Sequence, residues 1–161
     1  MFDVMRGASR DERGFTLVEL MVVILIIAVL IAIAVPTFMG FRRRAEDASA
    51  KAGANLGIKV AKSLTDEDSY APVTLAALSA TEPSLTFVPG SSQSTGPSVV
   101  SQEVPDVLQR TFVLAVYSRS QTCYFMRDDI MGSTTYGVLL DVPVADCQAD
   151  NAGAVLFGSS W

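Results

Sequence analysis

One carboxylate stands near the start of an otherwise apolar run. Glu19 lies in FTLVELMVVILIIAVLIAIAVPTFM, residues 15–39, and no polar side chain interrupts Leu20–Val35. A carboxylate in a membrane helix costs ~2.5–3.5 kcal/mol at the bilayer centre and less near the interface. Such a group calls for a cationic partner. Cutting the bond between Gly14 and Phe15 creates one, because Phe15 then carries a new α-ammonium close to Glu19. Pairing of Glu19 with its own terminus, or with that of a neighbouring helix, neutralises the charge in a low-dielectric setting. It also fixes the axial register of two packed helices, the best-attested use of a buried polar group.

Other chemistry is sparse. The chain has no histidine, so the commonest general base and a common metal ligand are missing. Serine and threonine are plentiful, but no nucleophile motif, phosphate loop or metal-ligand cluster accompanies them. The expectation is a protein that is not an enzyme and needs no cofactor and no metal. The two cysteines, Cys123 and Cys147, both fall in the part that would lie outside a membrane, which suggests one disulfide in an oxidising compartment. Asp141, Asp146 and Asp150 share that region, but their spacing matches no calcium loop and reads as solvated acid. The net charge of −5 argues against nucleic acid as a bulk partner. The one basic run, Arg42–Arg44, reads as a solvated or headgroup-contacting collar behind the apolar block.

The elements that must carry these residues follow from hydropathy. The stretch from Phe15 can span a bilayer, which needs roughly 20 apolar residues. A secretory signal peptide with Ala32-Ile33-Ala34 as its cleavage site competes with this reading, but its apolar region would be too long and would contain Glu19. A plain signal anchor is the other alternative. Arginines on both sides of the span leave the positive-inside rule near a tie.

Arg13-Gly14-Phe15-Thr16-Leu17-Val18-Glu19-Leu20, followed by the long apolar segment, resembles the signal of type IV prepilins and pseudopilins. The resemblance implies cleavage after Gly14 by a prepilin peptidase, N-methylation of Phe15 and a need for Glu19 in assembly. Pro36 falls where many pilins carry a helix-kinking proline, while Ala28 stands where many carry a glycine. It further implies a cytoplasmic leader, a single-pass membrane precursor, inner-membrane assembly machinery and an extracellular homo-oligomeric filament. A C-terminal cysteine pair is also similar to that family's. Some major pseudopilins bind calcium in the corresponding region, but they often lack the cysteine pair.

Beyond Pro36 the helix is expected to continue to about Leu64, with Phe41, Ala45, Ala48, Ala52, Leu56, Val60 and Leu64 on one apolar face. Gly53 and Gly57 read as close-packing points under a sheet or as weak spots. A short helical turn over residues 74–78 and strands over 84–88, 98–104, 111–118, 122–127, 135–140 and 153–157 are expected. Pro89–Pro97 reads as an exposed, variable loop.

The resulting expectation is an α+β chain: leader 1–14, long helix 15–64 with 15–39 as the membrane and assembly segment, and a head over 65–161. An antiparallel meander of about four strands would lay one face on the helix. The expected function is a structural subunit of a type IV pilus serving adhesion, motility or DNA uptake. A type II secretion pseudopilin, a minor pilin acting as adhesin or DNA-binding subunit, and a membrane-tethered binding domain remain as alternatives.

Overall fold

The computed structural model describes residues 14–161, and the chain divides after Gly40 into two units, the second running Phe41–Trp161. The expected leader lies outside the described residues except for Gly14. One helix, α1, runs Leu17–Leu64 across 48 residues.

In the first unit α1 is exposed on every side. Exposure of its large apolar residues, with Phe15 just ahead of it, ranges from 79% at Phe15 to 45% at Val23. The helix passes through Pro36. Proline offers no N–H to the carbonyl four residues earlier. At the next position, the Thr37 hydroxyl donates to the Ile33 carbonyl at 3.1 Å.

In the second unit α1 buries Ala50, Gly53, Ala54, Gly57, Ile58, Val60 and Ala61. The expected face holds in its last part, where Val60 is buried and Leu56 and Leu64 pack half-buried against the core, but Phe41, Ala45, Ala48 and Ala52 are exposed. The reason is that alanines occupy several faces of this helix, so apolar periodicity does not select one. Backbone proximity does. A Cβ on Gly53 would stand 2.0 Å from the Pro97 carbonyl oxygen, and one on Gly57 would stand 3.2 Å from Leu114. The glycine pair marks where sheet and loop approach most closely.

A short helix, α2 (Leu75–Thr81), follows, with the Thr74 side chain accepting from the Ala77 N–H at 3.2 Å. The strands are β1 (Thr86–Pro89), β2 (Val99–Glu103), β3 (Thr111–Ser118), β4 (Thr122–Asp129), β5 (Thr135–Leu139) and β6 (Phe157–Gly158). They form one six-stranded sheet in sequence order, antiparallel except for the parallel pair β1–β2. The sheet is thus larger than the expected meander of four. Residues 149–154, which include the start of the expected last strand, form a 3-10 helix instead.

The parallel pair explains a second correction. Residues 90–98 must carry the chain back along the sheet edge, so they cannot be a free surface loop. Ser94 is completely buried. Its N–H donates to the Cys147 carbonyl, and its hydroxyl accepts from the Tyr117 N–H, both at 2.8 Å, and donates to the Val99 carbonyl.

Both faces of the sheet are covered. Phe112, Leu114, Val116, Tyr124 and Met126 pack with α1, Tyr70 and Leu78. Val113, Ala115, Tyr117 and Phe125 pack with Cys147, Ala149, Ala152 and Val155 from the C-terminal segment. Each large apolar side chain so buried contributes ~1.5–3 kcal/mol. The Cys123–Cys147 disulfide ties that segment to β4, and both cysteines are fully buried.

Candidate assembly segment and head surface

The assembly candidates lie in the first unit. Gly14 is exposed, and nothing lies within 4 Å of where a side chain on it would project. Phe15 follows, exposed and outside the helix. Thr16 then caps α1: its hydroxyl oxygen accepts the Glu19 N–H at 3.2 Å, while its carbonyl accepts the Leu20 N–H. Thr16 and Glu19 have the spacing of a capping box, with the acid in the first turn where the helix dipole favours it. The sequence reading assigned Glu19 to charge pairing and missed its place in the cap, although the T-x-x-E pattern preceding an apolar run carries that signal.

The segment is long and apolar enough to cross a membrane, and its most apolar stretch is unburied throughout. Its chemistry is that of a rod requiring apolar cover all round, with a single carboxylate at one end. Pro36 sits toward the other end of this rod, inside the helix.

In the second unit the head is held to the end of α1 by a polar network that sequence reasoning did not find. Lys62 Nζ lies 2.7 Å from the Asp128 carboxylate and donates to the Thr134 hydroxyl at 3.0 Å. The Tyr70 and Thr134 hydroxyls also donate to Asp128. Burial alone would raise the Asp128 pKa. The hydrogen bonds from Lys62, Thr134 and Tyr70, with the Lys62 charge, outweigh burial and hold it below the usual carboxylate range. Tyr70 moves the other way, raised by burial and then by its bond to Asp128. These groups line an open cleft of about 510 Å³ whose rim carries Asp66, Glu67 and Asp129.

A second network sits at the opposite end of the sheet. Ser118 donates to Asp47 at 2.8 Å, and Ser120 does so as well. Tyr124 is pushed up to about 12 by burial, then by the Asp47 charge. Lys51 lies over the Tyr124 and Trp161 rings at 5.2 and 5.7 Å. These contacts fasten α1 to the β3–β4 turn and to the C-terminal aromatic cluster, and none of them presents a nucleophile with a base.

Comparison with known proteins follows the same division. The prokaryotic N-terminal methylation motif matches residues 9–35. The type IV major pilin protein PilA of Myxococcus xanthus is 52% identical over 40 residues, covering 25% of this chain and 18% of that protein. The type IV wide pilus major component PilA4 of Thermus thermophilus is 44% identical over 50 residues, covering 31% of this chain and 38% of that protein. The chain therefore spans less than two fifths of the length of either of these curated relatives it matches. No solved structure matches it. The motif, these relatives and an α+β head backed by a long N-terminal helix together support a type IV pilin or prepilin.

Proposed function

We propose that this chain is a structural, non-enzymatic subunit of a type IV pilus. The precursor sits in the cytoplasmic membrane as a single-pass protein with its leader inside. Prepilin peptidase cuts after Gly14 and methylates Phe15. The inner-membrane pilus machinery then draws the mature chain into an extracellular filament, where residues 15–39 exchange lipid for the same segments of neighbouring copies. The filament serves adhesion, motility or DNA uptake.

The observation that carries this reading is a helix that is apolar and exposed on all sides, opening on Thr16 and Glu19 directly after Gly14-Phe15. Lipid satisfies such a rod before assembly, and identical rods satisfy it afterwards. Glu19 then meets the new α-ammonium of Phe15 on its own or an adjacent chain. The test is Glu19→Ala in the native cells. Processing to Phe15 should be retained while sheared fibre falls by roughly ten-fold or more, as expected for loss of a desolvated charge pair. Normal fibres from that variant contradict the pairing.

A further inference from the structure

The second unit carries two concavities of opposite charge at opposite ends. The first is a groove of about 240 Å³ lined by Arg42, Ala45, Glu46, Ser49, Pro97 and Arg119. Arg42 is engaged by Glu46 at 3.0 Å. Arg119 is exposed and, among the described residues, has no carboxylate within ion-pair distance; Arg43 and Arg44, also exposed, follow Arg42 along the helix without lining the groove. The second is the cleft of about 510 Å³ bounded by the Lys62–Asp128 pair. That pair satisfies its one lysine, so the exposed Asp66, Glu67 and Asp129 leave the rim net acidic, with exposed Asp68 adjoining.

Topology keeps the two apart. Arg42 and Leu64 are separated by about 33 Å of helix at 1.5 Å per residue. Arg119 lies in the turn before β4, while Asp129 ends that strand. A molecule with a basic site at one end and an acidic one at the other has the charge complementarity for a heterologous, head-to-tail contact with its own copies. Such a contact leaves one free site at each end of any chain of subunits and yields an open filament when the rotation does not close.

We propose that the basic groove at Arg42 and Arg119 receives the acidic cleft rim at Asp66, Glu67 and Asp129 of a second copy of this chain. The proposal rests on the pilus reading above and adds to it which head surfaces meet. It calls for two copies staggered axially by about 33 Å, the helix length between the two sites. The competing occupant of the arginines is an anionic lipid headgroup, since they follow the apolar segment directly. A second copy is favoured because Arg119 comes from the β3–β4 turn and not from the helix, and because a complementary acidic site exists on the same molecule.

The experiment uses the full-length protein in its native cells, with two paired reversals: Arg42→Glu with Arg119→Glu, and Asp66→Lys with Glu67→Lys. Fibre in the sheared fraction is measured against the membrane pool, with the disulfide and the mature N-terminus checked in each variant. Each reversal alone should lower fibre yield by about ten-fold or more. All four together should restore it to within roughly two-fold of wild type, the signature of direct coupling. Normal fibre from either single-end reversal, or a quadruple variant no better than the single ends, overturns the contact while leaving the pilus reading intact. A loss confined to the basic-end reversal, with weaker membrane retention of the pool, assigns the arginines to lipid headgroups and also overturns it. Absence of wild-type fibre sinks the pilus reading and the contact with it.

Discussion

At the scale of single residues, Gly53 lies against backbone and not against a flexible side chain, since an added Cβ would fall 2.0 Å from the Pro97 carbonyl oxygen. Gly53→Ala should therefore destabilise the head by about 1–3 kcal/mol, the usual cost of overpacking, despite a gain in helix propensity of ~1 kcal/mol. Gly40 has nothing within 4 Å of the same position, so Gly40→Ala should show no such loss. Thermal melts of the two variants in detergent separate these outcomes. Asp128 gives a second residue-scale expectation. Its folded pKa lies below the unfolded value of ~3.9, so its bonds add stability above that value. The contribution is lost as pH falls through the folded pKa. Melting followed from neutral pH to about pH 2 should show this loss, and Asp128→Asn should flatten that part of the acid limb while lowering stability at neutral pH.

At the scale of elements, legibility depended on how far apart the interacting residues are. The spans of β3 and of the long helix follow from local pattern, and the Phe112-Leu114-Val116 face is one the alternation names directly. The same strand, FVLAVY, is apolar on both faces, which marks a doubly covered strand. The cover on the second face comes from residues 147–155, whose glycine, alanine and aspartate content resembles a loop more than a packing element. The face of α1 was legible only in its last part because alanine sits on several sides of it. The Lys62–Asp128 network joins residues 66 positions apart, and no local pattern announces it. Ser94 reads as loop because its burial depends on a parallel return that only the assembled sheet requires. The Cys123–Cys147 bond is the covalent link between the C-terminal segment and the sheet. Its reduction should lower the stability of the head by ~3 kcal/mol in the chain-entropy model. A melt of the full-length protein with and without reductant reads this directly, and an unchanged melting temperature contradicts a stabilising role.

At the scale of the whole molecule, chemistry and surface are divided between the two units. The first offers an apolar rod with one carboxylate near its start among the described residues, and the second offers a disulfide-linked head with a groove at Arg42 and Arg119 and an acidic cleft rim at Asp66, Glu67 and Asp129. The helix is long and apolar enough to cross a membrane and its first turn favours an acid, but neither gives the Glu19 carboxylate a cationic partner. The proposed cleavage after Gly14 would supply one, the new α-ammonium of Phe15. The central claim is therefore about where the mature chain begins. Mass spectrometry of the N-terminal peptide of the protein isolated from its native cells tests it most directly. A start at N-methylated Phe15 is the predicted result. A start at Met1, which leaves an ordinary anchored domain, or at Val35, which leaves a secreted protein without its assembly segment, contradicts the account.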